Sequence, residues 1–275
     1  MKKLFFILIL FLCVGNAFAQ YYIYGPHFIP LDKFQTIDSA DLKFTYKFIH
    51  VRDSTHAANT KRTDIQTLLI GKNTSKYFSQ EFVDSCISAK SLEFYRNKNS
   101  GTSSFEIFKN YPSKKMTVTE IGGERFLGGT FIYEETLPAF NWEIKNDTAT
   151  ILSYLCQKAE VTFNGRTYEA WFTNDIPINN GPWKFNGLPG LILKVGDDKQ
   201  HVVFECVGIE KLKQLESIKL YSFNYKQITR KGLDKLFRRF LDNPVGYMRS
   251  INIEVAWQLD PTAIPKEPYN PIELE

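Results

Sequence analysis

The sequence predicts an α+β domain, mostly β: a single large antiparallel, curved, half-barrel-like sheet with one or two packed helices. Three observations predict it. Runs of alternating apolar and polar residues recur along most of the chain, with the period of two that a half-buried strand requires. Turn-forming clusters separate these runs; in the clearest, Asn164-Gly165, both residues suit the positive φ angles of a type I′ hairpin turn. One strongly amphipathic helix appears late, with Leu233, Leu236, Phe237, Phe240 and Leu241 at i, i+3, i+4, i+7 and i+8. A composition of 43% apolar and 15% aromatic residues supports a packed, strand-rich core rather than disorder.

The chain begins with the pattern of a secretory signal peptide: Lys2 and Lys3, an apolar run over Leu4–Val14, and the small-residue site Ala17-Phe18-Ala19, which places cleavage before Gln20. The run is about eleven residues, short of the roughly twenty that span a bilayer. Leu12 is too bulky a neighbour for Cys13 to be lipidated. The expected organisation is a signal peptide over 1–19, a single β-rich domain over 20–260 and an extended C-terminal arm over 261–275, exported to the periplasm or the outer-membrane face, without a transmembrane segment after cleavage. The formal net charge of +4 falls to about +2 once Lys2 and Lys3 are removed, too little to imply nucleic acid as a partner.

Within the domain, residues 20–40 show no clear periodicity. Phe44, Tyr46, Phe48 and His50 then alternate with Lys43, Thr45 and Lys47 as a strand. A loop follows over Asp53–Asp64, with strands over Thr67–Gly71 and Ser75–Ser79. Gln80–Ala89 reads as a short helix capped by Ser79. Phe105–Tyr111 and Met116–Ile121 form a hairpin around Pro112-Ser113-Lys114; strands over Phe126–Tyr133 and Phe140–Ile144 follow. Ala159–Phe163 and Thr167–Phe172 flank the Asn-Gly turn, and Leu191–Val195 pairs with His201–Val207. The amphipathic helix is capped by Thr229 and ended by Asn243-Pro244, and its solvent side carries Lys231, Lys235, Arg238 and Arg239. A last strand is expected over Ile251–Trp257.

Three cysteines remain in the exported chain, Cys86, Cys156 and Cys206, so at least one thiol is free; either a Cys156–Cys206 bridge or three buried thiols fits.

The block Asp175–Val195 mixes prolines, glycines and large apolar residues. In Leu188-Pro189-Gly190-Leu191, proline fixes φ and Gly190 accepts positive φ, so a type II turn is expected, with Gly187 allowing a bend or a close approach just before it. Asp175-Ile176-Pro177-Ile178 is proline-broken and suits an edge or loop. Two readings of the block stand side by side. It is a structural corner in which Trp183, Phe185 and Leu188 plug one end of the core, or its aromatics line a groove for an apolar ligand or an extended peptide. The candidate ligand or partner surface is Trp171, Asp175, Pro177, Trp183, Phe185, Gly187, Leu188, Pro189 and Gly190.

Gly187-Leu188-Pro189-Gly190-Leu191-Ile192 carries a family resemblance. With Tyr154–Ala159, Phe163-Asn164-Gly165-Arg166, Ala170-Trp171-Phe172-Thr173 and Asp175-Ile176-Pro177-Ile178, the chain resembles the GLPGLI family of exported bacterial proteins. Weaker echoes lie at Leu69-Ile70-Gly71 and at Asn270–Leu274. The resemblance implies an exported envelope protein of a Gram-negative cell; it supplies no catalytic residue and no activity.

No reaction signature is present. There is no Gly-x-Ser-x-Gly elbow, no His-Glu-x-x-His and no Cys-x-x-Cys, and His27, His50, His56 and His201 are scattered. No catalytic, cofactor or metal residues are assigned. The function expected is binding or carriage of an apolar ligand, or of a lipidated or peptide segment. The alternative is an interaction module docking on another envelope protein, such as an outer-membrane receptor; a hydrolase is a distant third.

Overall fold

The structure is a computed structural model that describes residues 31–87, 104–121, 127–252 and 268–274. The signal-peptide reading and the strand expected beyond Asn252 lie outside the described residues.

Twelve strands form one open, curled sheet. They are β1 (Phe34–Val51), β2 (Lys61–Gly71), β3 (Thr74–Ser79), β4 (Phe105–Asn110), β5 (Lys115–Glu120), β6 (Phe131–Thr136), β7 (Glu143–Ile151), β8 (Tyr154–Phe163), β9 (Arg166–Thr173), β10 (Leu191–Asp197), β11 (Val202–Tyr221) and β12 (Lys226–Gln227). Their order is β12-β6-β5-β4-β3-β2-β1-β11-β10-β9-β8-β7. Every pairing is antiparallel except the short β12–β6 contact.

The two longest strands, β1 and β11, pair in the middle of this order, and their register shifts three times, at Thr36/Asp38, Ala40/Leu42 and Thr45/Tyr46. Each bulge adds residues on one strand that the other does not match, which bends the strand and increases its twist. The consequence is visible in side-chain contacts. Tyr77 on β3 and Phe204 on β11 have two strands between them, yet their rings lie 6.2 Å apart, edge to face. Neighbouring strands are spaced by roughly 4.8 Å, so only strong curvature brings these rings together.

The inside of the curl holds the main core. Phe44, Tyr46 and Phe48 project from alternate positions of β1 into a cluster with Leu68, Tyr77, Ile107, Val118, Phe172 and Phe204. The expected alternation is therefore present, and β1 begins earlier than the periodicity indicated because its first residues, from Phe34, pair with Tyr221 and Leu220. The opposite face buries a smaller cluster, in which Val83 of helix α1 (Gln80–Ile87) joins Ala40, Leu69, Phe78, Phe108 and Ile218. Ser79 caps α1 as expected, its Oγ accepting from the Phe82 amide at 3.1 Å.

Helix α2 (Arg230–Asp242) lays its apolar stripe on the main core: Leu233 is buried, with Leu236, Phe237 and Phe240 packed against the cluster. Thr229 Oγ accepts from the Gly232 amide, and Lys231, Lys235, Arg238 and Arg239 are exposed. Asn243-Pro244 ends α2 but also starts a further helix, α3 (Pro244–Ser250). Pro244 sits at its first turn, where no amide donor is needed, and Asn243 Oδ1 caps the Gly246 amide at 2.9 Å. The loop expected over Asp53–Asp64 contains a 3-10 turn at Ser54–His56 and a helical turn at Ala57–Thr60 before β2 begins.

Cys86, Cys156 and Cys206 are buried, and none of them forms a disulfide among the described residues. Burial pushes the Cys206 thiol up to about 12, and its Sγ donates a weak bond to Gly208 O.

The type II turn expected at Leu188–Leu191 is corrected. Gly190 does not take positive φ; the residue that does is Gly187, at +95°. A Cβ on Gly190 would sit 1.9 Å from the Thr173 carbonyl oxygen, where β10 starts against the end of β9 with Leu191 opposite Thr173. Gly190 is thus required by backbone approach and Gly187 by backbone rotation. Gly190→Ala must displace backbone and is expected to cost at least about 3 kcal/mol, the upper range for overpacking. Gly187→Ala meets left-handed strain of about 1–2 kcal/mol and a 3.3 Å approach to the Trp142 indole Nε1, a side chain rather than backbone. Urea unfolding of the two variants measures the difference, and equal losses would show this reading of Gly190 to be wrong.

Candidate functional site

A cavity of about 370 Å³ opens between the inside of the curl and helix α2. Its walls are apolar and largely aromatic, including Phe48, Tyr77, Phe105, Ile107, Val118 and Phe204. Leu233 and Phe237 of α2 form the roof, with Phe237 and Phe105 ring centroids 5.8 Å apart. The C-terminal residues Tyr269, Pro271, Ile272 and Glu273 make one side.

That side is held by a dense polar clamp. Arg166 follows the Asn164-Gly165 turn, where Asn164 and Gly165 have φ of 43° and 78°. The turn directs Arg166 back across the sheet. Its Nη1 donates to Asp197 Oδ2 at 2.7 Å, Nη2 to Asn270 Oδ1 and Pro271 O at 2.7 and 2.6 Å, and Nε to Ile272 O at 3.0 Å. The Arg166–Asp197 pair is buried, and Asp197 Oδ1 accepts in turn from the Val202 amide at 2.8 Å. A guanidinium suits this task because its donors lie in one rigid plane and stay charged. Tyr168 adds a second bond to Ile272 O, and Asn270 Nδ2 donates to Val51 O. His50 Nε2–H donates to Asn270 O at 2.6 Å.

Glu273 joins this strap to the loop before the hexapeptide. Its carboxylate accepts from Lys184 Nζ at 2.7 Å and from Asn164 Nδ2 at 2.7 Å. Lys184, itself buried, also faces Glu135 at 3.3 Å, and Glu135 is 3.2 Å from Arg230 Nε on α2. One ionic network therefore links β6, the loop, the strap and the roof helix at the cavity mouth. The other mouth carboxylate, Asp234, accepts from Arg238 Nε at 2.7 Å and from the Tyr269 hydroxyl.

The loop is anchored beneath by Lys109 on β4, which donates to Gly181 O at 2.8 Å and to Phe185 O at 3.1 Å. Burial lowers the Lys109 ammonium to about 7. Phe185 is fully buried among Phe140, Trp142, Tyr168, Trp183 and Phe204, with ring centroids 4.9–6.1 Å away. Trp183 takes φ of 49°, an uncommon conformation for a bulky residue, held here by that aromatic packing.

Of the candidate surface, only Trp183 lines the cavity. Phe185, Leu188 and Gly190 are buried and Trp171 is half-buried, whereas Asp175, Pro177, Gly187 and Pro189 are exposed. The block is thus a corner of the core that offers one ring to the cavity. Sequence reasoning did not find Arg166 in the clamp, or Lys184, Glu273, His50, Gln66 and Tyr77 at the cavity. The available signal was that Phe163–Arg166 and Asn270–Leu274 both carried family-like patterns; the fold places them in contact. Among the described residues, no group of three or more His, Cys, Asp and Glu side chains could hold a metal, and no helix is long and apolar enough to cross a membrane.

Two expectations follow for the clamp. Arg166→Met strands a buried carboxylate and should lower unfolding free energy by about 3–5 kcal/mol, part of which Asp197→Leu restores by removing that charge; chemical denaturation of the single and double variants measures both. His50 has its pKa lowered, mainly by burial, against the bond to Asn270 O. The unfolded chain then takes up the proton first as pH falls below about 6.5, so stability is lost on going down through that value and His50 contributes nothing to the slope above it. Thermal melts from pH 7.5 to 5.5 should show this loss in wild type and a shallower one in His50→Gln.

Comparison with known proteins supports the fold. The family model described as "N-glycanase peptide, N-terminal domain" matches residues 130–236, from just before β6 into α2 and less than half of the chain. Solved structures of PNGF-II in the P21 and C2 space groups are similar to it, with TM-scores of 0.51 and 0.50 at 15% and 16% identity. Each alignment covers 72% of this chain but only 33% and 32% of the solved chains. No match was found among curated proteins. The chain spans about one third of the length of those solved chains, and the likeness is one of fold.

Proposed function

We propose that this protein is a non-catalytic binding protein that holds an apolar ligand inside the curled sheet, under α2 and the C-terminal strap. The single observation that carries this reading is the cavity of about 370 Å³ with aromatic and aliphatic walls, within the roughly 300–1,000 Å³ range of small-molecule sites. Charged groups border it, with Lys184 and Arg230 both facing the Glu273 carboxylate. The signal-like N-terminus and the resemblance to GLPGLI proteins support action in the cell envelope.

The neutral fluorophore N-phenyl-1-naphthylamine tests the reading directly. It should bind saturably at one site, and Leu233→Trp, which fills the cavity from the roof, should weaken it at least about fivefold, since overfilling a site costs about 1–3 kcal/mol. Failure of the probe to bind, together with ligand-free protein in native mass spectra of material purified from its own envelope, would rule the reading out.

A second reading is favoured by the matched N-terminal domain of an N-glycanase: a docking domain that serves another envelope protein. The exposed residues Asp175, Pro177 and Pro189 would form the contact, and proline-stiffened segments lose little entropy on ordering. In-cell crosslinking should then recover a stoichiometric partner through this loop, and its absence would count against docking.

A further inference from the structure

The floor of the cavity carries two polar atoms that the protein does not satisfy. Gln66 Oε1 and the Tyr77 hydroxyl are buried, each residue 3% exposed, and neither atom has a hydrogen-bond partner among the described residues. Both residues line the cavity. A buried polar atom left without a partner is costly, so two on one apolar surface require an explanation beyond packing.

Their placement is specified. In the β2–β3 pairing, Gln66 stands opposite Ser79 and Leu68 opposite Tyr77. Gln66 and Tyr77 are therefore diagonal neighbours on one face, within roughly 7–8 Å. The orientation of the amide is fixed as well. Gln66 Nε2 donates to Asp64 Oδ2 at 2.9 Å, and a carboxylate can only accept, so Oε1 is the atom left over. Asp64 is held from its other oxygen by Ser79 Oγ at 2.9 Å. The floor thus presents one atom that can only accept beside a hydroxyl that can donate or accept. The buried Asp64 carboxylate behind them disfavours an anionic group at this point.

We infer that the cavity is selective for an uncharged apolar molecule bearing a hydroxyl group, whose O–H donates to Gln66 Oε1 and whose oxygen accepts from the Tyr77 hydroxyl. This rests on the proposed binding function and adds the chemical class of its ligand. A plain hydrocarbon chain would fill the same space but leave both atoms unmet. A molecule with an oxygen but no O–H would meet Tyr77 alone.

The isomers 1-decanol and 1-methoxynonane separate these cases, because they share one molecular formula and only the alcohol carries an O–H donor. Dissociation constants come from displacement of N-phenyl-1-naphthylamine. Wild type should bind the alcohol about tenfold more tightly than the ether, the order expected when one buried acceptor is left unmet. Gln66→Met keeps the side-chain length, removes the acceptor and should bring the ratio to about one. Tyr77→Phe, which deletes only the hydroxyl and is the less disruptive change, should weaken both compounds several-fold and preserve the ratio. Equal binding of the two isomers by wild type overturns the inference while leaving the cavity reading intact. So does an undiminished preference in folded Gln66→Met, or unaltered affinities in Tyr77→Phe if Gln66→Met does not fold. No binding of the fluorophore or of either isomer defeats the cavity reading itself.

Discussion

The curvature imposed by the bulged β1–β11 pairing is the constraint on which the remaining structure depends. A flat sheet of twelve strands would keep Tyr77 and Phe204 far apart and would offer α2 a plane to lie on. Three register shifts in one strand pair bend that plane until side chains from non-adjacent strands meet. Tyr46 on β1 donates to Ile192 O on β10 at 2.8 Å, reaching past β11 to do so. Once the sheet is curled, its inner face has more perimeter than one 13-residue helix can cover, and space is left between them.

Buried cations fix the segments that border this space. Arg166 holds the C-terminal strap, Lys184 joins that strap to β6, and Lys109 holds the loop bearing Trp183 and Phe185. Lys76 plays a comparable role on the outer face. It pairs with Glu106 at 2.6 Å, donates to Lys219 O, and lies within 4.7–5.2 Å of the Phe78, Phe108 and Tyr221 ring centres. Buried ions of this kind add little net stability compared with apolar replacements, but removing one partner is costly. Their effect is to make alternative placements of loop and strap expensive. The Lys109 site illustrates the chemistry: with only carbonyl oxygens as acceptors, burial lowers the ammonium to about 7, and the cost of charging it is carried by the fold.

Much of the architecture is legible in the sequence because it follows from local rules. The alternation of Phe44, Tyr46 and Phe48, the Asn164-Gly165 turn, the Ser79 and Thr229 caps and the stripe on α2 each depend on residues within one or two turns of chain. What is not legible depends on partners far away in sequence. Gly190 looks like a turn glycine because it follows proline, but its requirement is set by Thr173 on a neighbouring strand. Arg166 looks like an ordinary charge after a hairpin turn, and three of its four acceptors lie more than a hundred residues later. The cavity is least legible of all. Trp183 and Phe185 are two residues apart with similar composition signals, yet one lines the cavity and the other is sealed in the core, a distinction decided by curvature and by the unusual φ of Trp183.

The same aromatics that form the core explain why the space does not close. Large rings with two rotatable angles cannot shrink into a gap as aliphatic chains do, and here several are tethered by their polar ends. Tyr46 is tied to Ile192 O, Tyr168 to Ile272 O and Trp142 to Asn186 O. These three rings stand in the core behind the cavity lining, and collapse of that core would break their bonds where each broken bond leaves a buried orphan. The roof is restrained as well, since α2 is tied through Arg230 to the ionic network at the mouth. A pocket kept open by stiff walls is preorganised: a ligand entering it loses its own freedom but need not order the protein. Gln66 and Tyr77 sharpen this further, because the β2–β3 ladder holds the two residues on one face and Asp64 sets the direction of the amide. Shape and polarity at the cavity floor are therefore set by the fold before any ligand arrives.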